Sequence, residues 1–182
     1  MAILLGFAVA LFGYVLKVQR SAYGLMSAIQ VIPGTILGII LLLIFGFGNV
    51  APIALVAILV MPTVVLNMTA GLENRKEQQE QYLKSIGAKP NMILTHVYLP
   101  AIIPSAHSSL SLGFSLAIKV IVMGEYIAAQ DGIGYLLNRA QVTLNTREVF
   151  FYLLVLFSLT LIFQIILSFF FSKILKKYSF SN

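Results

Sequence analysis

Two ionisable side chains, Lys119 and Glu125, interrupt an apolar run from Ala106 to Ala129. Ionisable groups at membrane depth are functional candidates by default, because burying a charge there is costly. Six residues apart on a helix, they point about 120° away from each other. They are therefore not expected to pair, and a partner for Lys119 would lie on another span or on a second subunit. An intramembrane enzyme built on them has no nucleophile and base that can be named, and neither Gly-x-Ser-x-Gly nor His-Glu-x-x-His is present. No catalytic residue is assigned. His96 and His107 stand eleven apart with no ligand cluster around them, which fits structural or interfacial roles and gives no metal site. The chain also lacks Gly-x-x-x-x-Gly-Lys-[Ser/Thr], so it holds no nucleotide phosphate by that route.

The elements that must position these residues are membrane spans. Of 182 residues 59% are apolar and 10% are charged, with a mean hydropathy of +0.96, against about 25% charged in soluble domains. The absence of cysteine removes disulfides and thiolate metal sites. Trp is absent too, so interfacial anchoring falls to Tyr, Lys and Arg. The net charge of +6 is spread between apolar runs rather than gathered on one module. It reads as membrane topology, with no nucleic-acid partner.

Ala2 to Leu16 forms a short first span, slightly under the roughly 20 residues a helix needs to cross. Lys17 and Arg20 follow it, the wrong order for a secretory signal. The run Leu25 to Phe47 contains Pro33 and Gly34-x-x-x-Gly38. Proline removes one helix hydrogen bond, so this segment is expected to begin at the interface and cross after Gly34. The two glycines suit close intramolecular packing. A tight external turn at Phe47 to Val50 leads into a third span, Ala51 to Asn67, with a kink expected near Leu59 to Pro62 and its inner end at Asn67 and Thr69. In the fourth run Ser109, Ser111, Gly113 and Ser115 again suit tight contact. Gln130 to Arg147 is a polar external segment with a turn at Asp131 to Gly134, and Phe150 to Phe171 is the last span. Nine basic residues, among them Lys173, Lys176 and Lys177, then lie inside and two outside. That bias sets five spans with the N-terminus outside and the C-terminus cytoplasmic. The expected fold is an all-α membrane protein in one domain, 1–182, with a cytoplasmic loop at about 72–100 and an external segment at about 130–148.

The loop Glu73 to Lys89 holds seven charged residues. Tyr82, Leu83 and Ile86, at i, i+1 and i+4, give one short apolar face to a helix otherwise rich in Glu, Gln and Lys. Gly87 can end that helix in a left-handed conformation, and the next span is expected to start at Pro100. Two readings stay open on these residues: a helix lying on lipid headgroups, or a docking surface for a protein partner.

The run Gln81-Tyr82-Leu83-x-x-x-Gly87, then nine residues, then Val97-x-Leu99-Pro100, resembles the Glu-Ala-Ala, Gly, Ile-x-Leu-Pro loop of binding-protein-dependent ABC importer permeases. Phe45-Gly46-Phe47-Gly48, Asn67-Met68-Thr69-Ala70-Gly71, Met123-Gly124-Glu125 and Gly132-Ile133-Gly134-Tyr135-Leu136 are similar to the nitrate, sulfonate and taurine branch. The resemblance implies a type I importer permease fold in a prokaryotic plasma membrane, as a homodimer lining one pathway. It also implies cytoplasmic ATP-binding subunits that carry ATP and Mg, an external substrate-binding protein, surrounding membrane lipid, and no cofactor on this chain. Glu80, Gln81, Tyr82, Leu83, Ser85, Ile86, Gly87, Ala88 and Pro100 would then form the ATPase-coupling loop. Asn67, Ser115, Lys119, Met123 and Glu125 would line the pathway or its gate. The cargo implied is a small anionic or polar nutrient, such as nitrate, a sulfonate, taurine or a thiamine precursor. Gln81 departs from the family's Glu and loses a carboxylate, leaving open whether Glu80 substitutes for it. Most of the branch also has a further span ahead of this chain's first residue, so either a five-span variant or a lost start is expected. The alternatives are a glycine betaine or choline permease and, in another class, an ATP-independent channel or scaffold.

Overall fold

The computed structural model describes residues 2–16 and 18–179, with backbone alone at positions 20, 22 and 173–179. Of the basic residues used to orient the chain, Lys17 and the side chains of Arg20, Lys173, Lys176 and Lys177 lie outside that description. Among the described residues every regular segment is helical.

Helix α4 (Val50–Glu73) is the centre of the molecule. It is apolar on all sides, which suits a helix surrounded by others. Leu55, Val60, Val64, Val65, Met68 and Leu72 are buried along it. The helix continues through buried Pro62 and past the end expected at Asn67 and Thr69. Its last turns are needed for packing: Thr69 and Leu72 are buried, and a Cβ on Gly71 would overlap Ser105. Helix α1 (Ala2–Val15) lies against α4 through Ala2, Gly6, Ala10 and Gly13, one buried face of small residues. A Cβ on Gly6 would stand 2.7 Å from Val64 Cβ.

Helices α2 (Gln19–Gln30) and α3 (Gly34–Phe45) meet at 88°, broken at Pro33. Gly34 faces Leu59 and Met123, and Gly38 faces Ile127 and Leu55. The pair therefore packs within the chain, as its spacing suggests. Gly46 (φ +74°) and Gly48 (φ +138°) turn the chain into α4, and the Gly48 N–H donates to the Ala128 carbonyl at 2.9 Å.

The amphipathic loop forms α5 (Glu77–Ser85). The helix that carries the following span starts at Pro90, ten residues ahead of the Pro100 at which that span is expected to begin. The short α6 (Pro90–Ile93), a π-helical turn (Leu94–Tyr98) and α7 (Leu99–Ala128) make one continuous helix of 39 residues. Pro100 has no N–H to give and its ring crowds the preceding turn; a wider turn just before it accommodates both. In that turn the Leu99 N–H reaches back five residues to Leu94.

The polar segment expected outside the membrane follows its turn with a ten-residue helix, α8 (Ile133–Val142). Helix α9 (Thr146–Ser179) closes the bundle. Phe163 stacks on Phe114 with centroids 3.4 Å apart, and Gln164 Nε2 donates to Ser115 Oγ at 3.1 Å. The five expected crossings thus meet three helices of full spanning length (Val50–Glu73, Pro90–Ala128, Thr146–Ser172), the broken α2–α3 pair, and the shorter apolar α1.

Candidate functional site

The amphipathic helix α5 is anchored to the bundle by one buried carboxylate. Glu80 is 7% exposed. Its Oε2 accepts from Arg75 Nε at 2.9 Å, and its Oε1 accepts from Lys84 Nζ at 2.6 Å and from the Tyr98 hydroxyl at 3.2 Å. Arg75 also donates to the Leu72 carbonyl at 3.3 Å, and its guanidinium lies 5.4 Å from the Tyr14 ring centre and 5.8 Å from that of Tyr98. These are favourable cation–π distances. The Lys84 ammonium, and after it the Arg75 guanidinium, hold the Glu80 carboxyl down to about 2, so it is ionised at neutral pH. Charge-assisted bonds of this kind are the strong ones.

This arrangement divides the residues expected at the coupling loop. Leu83 is buried and faces the bundle, so it serves as an inward anchor and not as part of an exposed contact face. Glu80 is committed to Arg75 and Lys84 and is not offered in place of the carboxylate that Gln81 lacks. Left outside are Tyr82 (64% exposed), Ile86 (58%), Gln81, Ser85 and Gly87. Gly87 adopts φ +73° with open space where a Cβ would stand. Its N–H donates to the Lys84 carbonyl at 3.1 Å, and that of half-buried Ala88 to the Leu83 carbonyl at 3.0 Å. That pair of bonds is a Schellman motif, which requires the left-handed residue. Pro100 sits half-buried two residues beyond Tyr98. The anchoring role of Arg75, Tyr14 and Tyr98 escaped sequence reasoning. The i,i+4 pairing of Glu80 with Lys84 was the available signal.

At the other end of α7, a carboxylate fastens α8. Glu125 Oε2 accepts the Gly134 N–H at 2.9 Å, Asn138 Nδ2 donates to the Tyr126 carbonyl at 2.9 Å, and the Tyr126 hydroxyl donates to Gln141. A Cβ on Gly134 would run into the Val122 carbonyl, and Gly132 takes φ +97° directly beside the Glu125 carboxylate. Gly134 lets the α8 backbone meet that of α7, and Gly132 supplies the positive-φ turn beside the carboxylate.

The residues expected along a pathway do not form one group. Met123 turns its methyl onto Gly34, Glu125 caps α8, and Asn67 is half-buried on α4. Ser115 takes the hydrogen bond from Gln164. Lys119 is exposed on α7, and none of the ion pairs among the described residues involves it. It stands nine residues before Ala128, or about 13 Å at 1.5 Å per residue. A lysine at the centre of a span costs about 2.5–3.5 kcal/mol if it faces hydrocarbon.

Residues 2–178 match the family described as "Binding-protein-dependent transport system inner membrane component". Among individual relatives, the formylaminopyrimidine transport permease protein ThiX of Halalkalibacterium halodurans is 28% identical over 134 residues, covering 74% of this chain and 54% of the relative. A probable ABC transporter permease protein of Haemophilus influenzae is 29% identical over 169 residues, covering 88% and 68%. The taurine transport system permease protein TauC of Escherichia coli is 28% identical over 105 residues, covering 58% and 38%. The chain thus spans about half the length of ThiX.

Proposed function

The chain belongs to the inner-membrane components of binding-protein-dependent transport systems, a family of multi-pass permease subunits whose ATPase is a separate chain, and on that premise we propose that it forms the substrate pathway of an ATP-driven importer. Two copies line the pathway, cytoplasmic ATP-binding subunits receive α5, and an external binding protein delivers the cargo. The N-terminus lies outside and the C-terminus in the cytoplasm, following the bias of basic residues. The relatives are named for different cargoes, a formylaminopyrimidine and taurine. For this chain the cargo is a small anionic or polar nutrient of that range.

The observation that carries the reading is the two-sidedness of α5. Glu80 and Leu83 fix one side to the bundle, and Tyr82 and Ile86 stand free on the other beside Gly87. A helix held in this way passes a push from its outer face to α4 and α7. Closure of the nucleotide-bound ATPases would then bias the spans between inward-open and outward-open states.

The chain has no cysteine, so single-cysteine variants are unambiguous. Tyr82→Cys and Ile86→Cys should cross-link to the copurifying ATPase, and Leu83→Cys should not. Strong cross-linking at Leu83→Cys, or none at the other two positions in a complex that still assembles, would overturn the docking assignment.

A further inference from the structure

Helix α7 carries one stripe that the described residues leave largely uncovered. Pro104, Ser108, Leu112 and Lys119 are exposed, and half-buried Ser115 lies between them. At 100° per residue these five fall within about 80° of arc. The outward faces of α1 and α3 are of another kind: Leu4 and Phe12 on α1 and Ile36 and Leu43 on α3 are all strongly exposed. Such faces suit acyl chains. The α7 stripe instead sets two hydroxyls and an ammonium along one line, and Gln164 adds a carboxamide where it meets Ser115. The carboxylate on the same helix nearest to Lys119 in sequence, Glu125, is turned about 120° away and is taken up by the Gly134 N–H. The lysine stem is shorter than the distance of about 13 Å to the outer end of α7, so it does not carry the charge to the surface. A polar line at mid-depth, with a cation that no carboxylate among the described residues pairs, calls for water and a counter-ion rather than lipid.

We infer that the α7 stripe faces the aqueous space between two copies of the chain, and that Lys119 is the residue that selects negatively charged cargo, a small sulfonate, carboxylate or phosphate. The inference rests on the reading of the chain as the pathway-forming subunit and narrows its cargo to anions. Cations of similar size meet a like charge at the same point and are disfavoured.

The test uses Ser115→Cys, one helical turn from Lys119, in the full chain in membrane vesicles. It is treated from both sides with the anionic reagent 2-sulfonatoethyl methanethiosulfonate and the cationic reagent 2-(trimethylammonio)ethyl methanethiosulfonate. Both should react. The ratio of anionic to cationic rates should fall about tenfold when Lys119→Gln is added, the size of effect a unit charge one turn away produces in a water-like dielectric, and Lys119→Arg should keep it. Leu112→Cys carries the same measurement if Ser115→Cys does not insert. No reaction at either position would show a stripe sealed against lipid or protein and overturn the inference. A ratio unmoved by Lys119→Gln would show the charge already neutralised, as by a carboxylate of the second copy, and would also overturn it. Cross-linking at Tyr82→Cys in the same vesicles separates failure here from failure of the docking assignment.

Discussion

Arg75 Nε lies 2.9 Å from Glu80 Oε2, and this contact ties the turn after α4 to the amphipathic helix α5. Tyr98, at the end of the π-helical turn, donates to the same carboxylate. One side chain thus joins three segments, so α5 moves with the bundle rather than beside it.

Replacing Glu80 by Gln keeps the shape and removes the charge. Hydrogen bonds to charged groups contribute about 1.5–3 kcal/mol, so amide exchange across Glu77–Ser85 should quicken roughly ten- to a hundredfold while the spans keep their protection. Adding Arg75→Ala should cost less than it does alone, because the two residues share one contact. Full additivity would mean that the two residues work separately.

The same contact sets an acid limit. The Glu80 carboxyl falls from 4.5 to about 2 on folding, so the unfolded chain binds the proton more readily. The stabilisation is therefore complete above about pH 4.5 and is lost as pH falls towards 2. The Lys84 ammonium is shifted the other way, up from 10.5, mainly by its bond to Glu80. Its share is complete below about pH 10.5 and is lost as pH rises above that. Protection of α5 should hold from about pH 5 to 10, and Glu80→Gln should abolish the acid limb. An acid limb that survives this substitution belongs to another group.

Gly6→Val should destabilise the bundle by about 1–3 kcal/mol, because its Cβ meets Val64 Cβ at 2.7 Å and the Met61 carbonyl at 3.1 Å. Gly24→Ala on α2, with nothing within 4 Å, is the control. It should be neutral or raise stability by up to about 1 kcal/mol. Thermal unfolding in detergent reads both, and equal midpoints would refute the close α1–α4 approach.

Glu125→Ala removes the acceptor for the Gly134 N–H, and its expected cost is about 1 kcal/mol of α8 protection. Glu125→Gln keeps a carbonyl acceptor at that place and should behave nearly as the parent. If Glu125→Gln halts transport while α8 stays protected, the carboxylate is a gate as well as a cap.

Gly87→Leu should uncouple ATP hydrolysis from uptake in reconstituted vesicles without loss of insertion. The left-handed residue costs a non-glycine side chain about 1–2 kcal/mol, and bulk enters the free face of α5. Gly87→Asn tolerates that conformation better and should fall between Leu and the parent. Normal coupling in the Leu variant would remove Gly87 from the contact.

Much of this was legible in the chain itself. Gly34-x-x-x-Gly38 was read as internal packing, Gly87 as the left-handed end of α5, and Pro33 as the break before α3, because each depends on a local backbone constraint. The helix ahead of α7, back to Pro90, is not legible: a proline after a helical run looks like a first-turn residue, and only the π-helical turn shows how the helix passes Pro100. Nor could the Tyr82, Leu83 and Ile86 face be divided from sequence. The spacing gives one apolar patch, while the direction of α5, which decides that Leu83 goes inward, comes from Glu80 meeting Arg75 and Tyr98 across the fold. Tertiary contacts between segments far apart in sequence carry no local pattern.

The break at Pro33 also bears on the bilayer. Helix α3 has 12 residues between that break and Gly46, a rise of about 18 Å, whereas the span within α9 has 27 residues, about 40 Å. Without its polar first turn, the apolar run Phe150 to Phe171 rises about 33 Å, so hydrocarbon about 30 Å thick matches α9 and not α3. The lipid annulus is compressed beside α3, so the rate of the transport cycle should depend on acyl-chain length, and the short lipids should gather on the α3 side.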